Sequence, residues 1–331
     1  MVVIKILLIT EPTTHPEFDT TNELYNIIAE NPRFSGFHLP AHAVALKKTL
    51  EVVPLSKELQ YAEFLKLNEA PKQAMNLSEF DLVFDRTDKP RPPQFLETLA
   101  HWESSSRFVN SPSGLMKVAP HHFFMNIASR HIKLMALSNN ATEFGQFSKD
   151  YPHFVAKAEN TYGGKGVFQL RYENAEWLVE NLVHGTAKAQ SISEAYTWIQ
   201  SYYPGPLLLR PFLRNVTQGD KRVLVVGDKI YGGYVRRNES GSWVQNITSG
   251  AKAFVAEVST HEQKVIHDTA PQFVKLGIHT LGYDFIQDDL GQWQLSEINA
   301  GNIGGYGRLA ALRGQPIYNQ LLNDLELLAH S

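Results

Sequence analysis

Over 331 residues the chain carries 31 lysines and arginines against 34 aspartates and glutamates, a formal charge of −3, and 43% of it is hydrophobic. That is enough apolar chain for two or three packed domains, and the charge balance argues against nucleic acid as a main partner. The absence of cysteine excludes disulfides, thiolate nucleophiles and cysteine-ligated metals, and fits a reducing cytoplasm.

Residues 2–10, VVIKILLIT, predict a buried first strand; the run is too short to span a bilayer and Lys5 interrupts it, so no membrane association is expected. The loop EPTTHPEFDTT then ends in Thr20 or Thr21 as the N-cap of a helix, TNELYNIIAE. Further strands are expected at FDLVFDR (80–86) and SRFVNSP (106–112), with a helix around PPQFLETLAHW between them, which makes a doubly wound α/β unit of residues 1–112. Residues 113–200 combine the helix HHFFMNIASRHI, the strands FVAKA (154–158) and VFQLR (167–171), and the helix ISEAYTWIQ in a small α+β unit. Residues 201–331 are strand-rich, with GPLLLRPF, KRVLVVGDKIYGGYVRR and a closing hairpin broken by the helix HEQKVIHDTAPQFVKLG.

Three stretches carry residue types that chemistry needs. In FVAKAENTYGGKGVFQL a strand ends near Lys157, and a loop with Gly163, Gly164 and Gly166 leads to the next strand. Glycines let backbone amides approach phosphate oxygens, and a strand lysine adds a point charge for the same anion. Neither a Walker A loop nor a dinucleotide fingerprint is present, because Gly166 follows Lys165 and Gln169 stands where the last fingerprint glycine belongs. A glycine-rich hairpin without a ligand is the competing reading. In QGDKRVLVVGDKIYGGYVRRNESGSWVQNITSGAK, Arg222 opens one strand, Arg236 and Arg237 close the next, and Asn246 to Gly250 form a polar turn. Fixed cations stabilise a transferring phosphoryl group, although strand-end arginines also snorkel.

In LGYDFIQDDLGQWQLSEINAG a two-residue loop at Leu290 and Gly291 would pair Asp289 with Gln292 and, counting back, Asp284 with Glu297. Glu297 and Asn299 are two apart and share a face, so three oxygen-bearing side chains converge, provided that this turn or an equivalent bulge sets the register. Such hard donors suit Mg²⁺ and not Zn²⁺; a solvated hairpin face is the alternative. Most of the 13 histidines, such as His15, His42 and His101, are isolated. The adjacent His121 and His122 diverge by roughly 100° on a helix, which argues against a shared metal.

With these residues in view, the chain resembles the ATP-grasp superfamily and, within it, bacterial glutathione synthetase, over nearly its whole length. AKAENTYGGKGVF, TQGDKRVLVVGDKI, QNITSGA and GYDFIQDDLGQWQLSEIN carry the likeness, and EPTTHPEFDTT, FDRTDKPRPPQFL and FVNSP follow in family order. The resemblance implies an ATP-grasp fold, α/β and α+β in class: an N-terminal doubly wound α/β domain (1–112), a small central lid subdomain with a glycine-rich flap (113–200) and a C-terminal mixed-sheet subdomain with a metal hairpin (201–331). It implies ATP with two Mg²⁺ ions, Mn²⁺ being a substitute. Lys157, Gly163, Gly164 and Gly166 would bind the phosphates, Arg210, Pro211, Phe212 and Leu213 the adenine, Asp220 the ribose, and Asp284, Glu297 and Asn299 the metal. Arg222, Arg236, Asn246 and Gly250 would surround the reacting phosphoryl and carboxylate groups.

The implied activity, that of a cytoplasmic homo-oligomer in glutathione biosynthesis, joins a small-molecule carboxylate to an amine through an acyl phosphate. The same chemistry on another peptide, amino acid or protein C-terminus, and a nucleotide-binding protein without turnover, are the alternatives. Two departures stand out. His121 or His122, with Lys117 nearby, stands where the family has its second ATP lysine, and AGNIGGYGRLAALRGQP, with Arg308, replaces the usual acceptor segment. The pair γ-glutamylcysteine and glycine is therefore not expected to be the best substrate pair.

Overall fold

The first apolar run forms β1 (Ile4–Thr10), and β2 (Phe34–Pro40), β3 (Thr49–Pro54), β4 (Gln73–Asn76) and β5 (Leu82–Asp85) complete its sheet. In the computed structural model, which describes residues 3–56, 59–132, 134–161, 163–238 and 252–331, the order is β4-β3-β2-β1-β5. β2 and β5 flank β1 in parallel, and β3 and β4 add an antiparallel edge. Alternation along β1 sends Ile4, Ile6 and Leu8 into one core and Leu7 and Ile9 into another. α1 (Thr20–Glu30) and α2 (Tyr61–Phe64) pack into the first core and α3 (Phe95–Ala100) into the second, so the sheet is covered on both faces.

Three details of this region differ from the sequence expectation. The N-cap of α1 is Asp19, whose carboxylate accepts the Thr21 amide at 2.7 Å; Thr20 and Thr21 lie buried in the first turn. Residues 106–112 form no strand: Phe108 bridges Val83, Asn110 bridges Ile278, and Ser111 caps the next helix, α4 (Pro112–Val118). The strands at 34–40, 49–54 and 73–76 had no counterpart in the sequence reading. FSGFHLP looks like a loop because of its glycine, histidine and proline, yet it is buried because Tyr25 and Asn68 satisfy the His38 ring.

After α5 (His121–Ala128), a second, wholly antiparallel sheet comprises β6 (Ala136–Ser138), β7 (His153–Ala158), β8 (Val167–Glu173), β9 (Glu176–Asn181), β10 (Gly185–Ala189) and β11 (Leu207–Pro211). Its order is β10-β9-β8-β7-β11-β6, so β11 joins this sheet although it follows residue 200. α6 (Ala141–Asp150) and α7 (Ile192–Tyr202) cover one face with Phe144, Ala195 and Ile199 against Phe154, Ala156, Phe168 and Leu170. The other face, carrying Val155 and Lys157 by alternation, is left for a cleft.

The third sheet is antiparallel in the order β14-β13-β12-β15-β16, built from β12 (Asp220–Val226), β13 (Lys229–Arg237), β14 (Lys252–Ala256), β15 (Thr280–Gln287) and β16 (Trp293–Ala300). α8 (Thr260–Val274) packs Val265, Ile266, Ala270 and Phe273 beneath it. On the opposite face Leu224, Tyr231 and Tyr234 meet α9 (Tyr306–Arg313) and α10 (Ile317–His330), whose Leu309, Leu321 and Leu325 also belong to the core of the first sheet. The end of the chain thereby ties the first sheet to the third. No described helix is long and apolar enough to cross a membrane.

Candidate active site

Asp284 lies opposite Glu297, as the sequence predicts, but by a different route. The turn is longer than two residues: Gln287 pairs with Trp293, and the Asp288 carboxylate accepts the Leu290 and Gln292 amides at 3.0 and 2.9 Å. That register sets Phe285 opposite Leu295, one residue out of step with the expectation. A bulge at Ser296 then returns Glu297 to Asp284 and Asn299 to Gly282. Asn299 Nδ2 donates to Asp284 Oδ2 at 3.0 Å, so the three expected side chains share one face. The bulge had a signal in the sequence. Strict alternation would place Leu295 with Glu297 and Asn299, yet Leu295 is fully buried in the core beneath the sheet.

Cross-strand pairing assembles the arginines on the same face. Arg222 on β12 is opposite Asp284, and Asp220 is opposite Arg236 on β13. Arg222 donates two hydrogen bonds to Asp284, Arg236 donates two to Asp220, and Arg236 also approaches Asp284 at 3.1 Å. Burial alone would raise the Asp284 carboxyl, but Arg222 and Arg236 outweigh it and hold it at about 2. Burial would lower the Arg236 guanidinium, and Asp284 and Asp220 together raise it above its ordinary value. Arg237 is exposed and donates to the Gln218 carbonyl at 3.1 Å, so of the two neighbouring arginines only Arg236 enters the network. Asn246 and Gly250 lie outside the described residues.

The second sheet faces this network from across the cleft. Lys157 Nζ stands 3.7 Å from Glu297 Oε2 and donates to Ser296 Oγ at 3.4 Å. In the loop beyond it, Gly163 and Gly164 both have positive φ, 62° and 78°, a backbone that other residues adopt only under strain. The Gly166 carbonyl accepts the Ala158 amide at 2.9 Å and closes the loop. Where β11 meets the third sheet, partly buried Arg210 donates to the Leu295 and Ser296 carbonyls at 2.9 and 3.3 Å, and desolvation lowers its guanidinium to about 10. Pro211 pairs with Phe154, Leu213 caps a short 3-10 turn, and the Phe212 ring stacks on His153 at 4.0 Å, a contact the sequence did not suggest. His121 donates from its Nε2 to the Lys157 carbonyl at 2.9 Å, and its backbone amide donates to Glu159 at 2.8 Å. Burial lowers its pKa, so His121 braces β7 as a neutral ring; His122 and Lys117 are exposed.

A family model described as the ATP-grasp domain of prokaryotic glutathione synthetase matches residues 122–312, more than half of the chain. The chain belongs to this family. Glutathione synthetase of Neisseria meningitidis serogroup A / serotype 4A (strain DSM 15465 / Z2491) is 22% identical over 327 residues, 94% of each chain. That of Parasynechococcus marenigrum (strain WH8102) is 25% identical over 267 residues, 78% of each. The D-alanine-D-alanine ligase from Coxiella burnetii superposes with a TM-score of 0.60 at 14% identity, over 100% of this chain and 95% of that one, which shows a shared fold. The fold is ATP-grasp, and the enzyme is an ATP-dependent carboxylate-amine ligase.

ATP-grasp ligases use ATP and Mg²⁺, and the donor chemistry of the β15–β16 face fits that ion. Among the described residues no group of three or more His, Asp or Glu gathers as a metal cluster. Two carboxylates and one amide suffice for Mg²⁺, which keeps several waters and takes phosphate oxygens as further ligands. Glu297 is 53% exposed and is the open carboxylate of the set. Asp284 is fully engaged, accepting from Arg222 and Asn299 and ion-paired with Arg236, so a cation there has to displace one of them. Lys157, Arg222 and Arg236 balance Glu297, Asp284 and Asp220 in charge, so the negative charge of a nucleotide triphosphate calls for added cations.

Proposed function

We propose that the enzyme makes an amide or peptide bond through an acyl phosphate, in the manner of glutathione synthetase, on peptide or amino-acid substrates. The observation that carries this reading is Lys157 reaching across the cleft to Glu297, beside the Asp220–Arg236–Asp284–Arg222 network. In this reading Lys157 and the flap around Gly163, Gly164 and Gly166 hold the phosphates, residues 210–213 border the adenine, and Asp220 orients the ribose after exchanging part of its bond to Arg236. Arg222 and Arg236 stabilise the oxyanion charge that develops as the γ-phosphoryl group passes to a substrate carboxylate. Mg²⁺, when bound at Glu297, Asn299 and Asp284, neutralises phosphate charge. The flap closes over the site and keeps water from the acyl phosphate until an amine attacks it. Residues 1–112, 113–200 and 201–331 serve respectively as the N-terminal, lid and metal-hairpin units of this machine, in a cytoplasmic homo-oligomer.

The substrate pair is read from the segment after β16. A side chain at Gly305 would collide with the Tyr234 hydroxyl, and one at Gly307 with the Glu23 carboxylate. The Ile303 carbonyl accepts from Arg86 at 2.9 Å, so this glycine-rich segment is packed tightly against its own chain. A pair other than γ-glutamylcysteine and glycine is therefore expected to be preferred. ADP release and product isolation across panels of amino acids and dipeptides test both points. No product from any pair would end the ligase reading, and a clear preference for γ-glutamylcysteine with glycine would end the argument about the segment.

A further inference from the structure

The bulge that sets the register of β16 also leaves backbone groups there in need of partners. Ser296 is the extra residue, between the Leu295–Phe285 and Glu297–Asp284 pairs, and both Leu295 and Ser296 are buried. β16 lies at the edge of its sheet, so the groups on its outer side have no further strand to bond. Buried carbonyls need a donor. Arg210 on β11 supplies one from the second sheet: its Nη1 donates to the Leu295 carbonyl at 2.9 Å and to the Ser296 carbonyl at 3.3 Å. Arg210 pairs with Val155 and Leu208 with Lys157, so the arginine and the lysine project from the same cleft-facing side of that sheet. Lys157 meets the same bulge at Ser296 Oγ, 3.4 Å away.

Desolvation lowers the Arg210 guanidinium and no carboxylate offsets it, so the side chain is placed for what it donates and not to cancel a charge. The two residues it grips immediately precede Glu297, and the bulge between them is what returns Glu297 and Asn299 to the face of Asp284. We propose that Arg210 is a positioning residue: by holding the Leu295 and Ser296 carbonyls it fixes the bulge and, through it, the orientation of Glu297 and Asn299 toward a divalent cation. The proposal rests on the metal-binding part of the ligase reading above. It makes the metal face complete only where the second sheet docks on β16, and it leaves the adenine to residues 211–213 and the backbone of Arg210.

Three readings test this role: hydrogen exchange of the metal-free protein, Mn²⁺ titration followed by electron paramagnetic resonance in the presence of ADP, and ADP affinity in EDTA. In Arg210→Met the amides of residues 294–299 should exchange about tenfold faster, the scale of one lost bond to a charged donor, and Mn²⁺ should bind about tenfold more weakly. ADP affinity in EDTA should stay that of wild type. Arg210→Lys keeps a cationic donor and should recover most of both losses. Either change without the other overturns the proposal, because faster exchange alone makes the bond purely structural and weaker Mn²⁺ binding alone bypasses the bulge. Neither change overturns it as well, even if the melting temperature falls, and a loss of ADP affinity in EDTA in their place gives the guanidinium to the nucleotide. Should wild type form no product with any substrate pair, the ligase reading fails, and the exchange and Mn²⁺ readings still decide the role of Arg210. Should Arg210→Met melt too low to measure, Arg210→Gln, polar but shorter, takes its place under the same outcomes.

Discussion

Asp284 and Glu297 face each other across β15 and β16 in very different surroundings, and that difference decides what their substitution can report. Asp284 is buried between two guanidinium groups, so Asp284→Asn leaves Arg222 and Arg236 short of a counter-charge. Breaking a buried pair in this way costs about 3–5 kcal/mol, and the variant should melt far below wild type. Glu297 is half-exposed, and its 3.7 Å pair with Lys157 contributes at most about 1 kcal/mol. Glu297→Gln should therefore melt like wild type and yet lose about a hundredfold or more in turnover, because one anionic ligand for the phosphate-bound cation is gone. Asp289→Asn, on the exposed tip of the same hairpin, changes charge equally and should keep its activity. Thermal melts followed by ADP release over a Mg²⁺ series check all three, and near-normal turnover of a folded Glu297→Gln at low Mg²⁺ would reduce these acids to a solvated strand face.

The hairpin β15–β16 shows how an element reaches one pairing by two possible routes. The sequence offers a tight turn at Leu290 and Gly291, and the molecule uses a longer turn capped by Asp288 together with a bulge at Ser296. If the bulge and the pairing of β15 with β12 set the register, the turn is separable from the chemistry. Asp288→Ala removes acceptors for two backbone amides and for Gln294, which should cost about 1–2 kcal/mol of stability. Turnover should stay within about threefold of wild type, since Asp284, Glu297 and Asn299 keep their partners across β12 and β15. Loss of activity without loss of fold would show that the turn, and not the bulge, holds the register.

Across the whole molecule the acid side of the stability curve follows from ionisable groups buried inside the folded units. His38 is fully buried; Tyr25 donates to its Nδ1, and its Nε2 donates to Asn68. That arrangement requires the neutral ring, and burial lowers its pKa from 6.5 to about 4. The folded state therefore binds fewer protons than the unfolded chain between these values. The stabilisation is complete above about pH 6.5 and is lost as the pH falls toward 4, on the order of 3 kcal/mol. Melting temperature should drop over that window, and His38→Gln, whatever its effect at neutral pH, should flatten the drop. Below it, Asp284, held at about 2 by its arginines, extends the loss from pH 4 downward. Parallel pH slopes in wild type and His38→Gln would remove His38 from this account.

The chain by itself determined the elements that bury along a clear period and the residues that motif spacing picks out. β1, β7, β8 and the β12–β13 hairpin were legible because their apolar runs are bounded by turn residues, and Lys157, the flap glycines, Arg222, Asp284, Glu297 and Asn299 because their chemistry stands out on strands. Tertiary structure decided what depends on partners distant in sequence. β2 is a strand because Tyr25 and Asn68 satisfy His38, and the N-cap of α1 is Asp19 because the threonines after it are buried in the packed first turn. It also decided that Arg236 and not Arg237 joins Asp284, and that His121 braces β7 instead of offering a charge. Local periodicity states which face a side chain occupies, whereas the counter-charge it meets there is set by which sequence-distant strands pair or pack beside it, and for ionisable groups that second fact decides the chemistry.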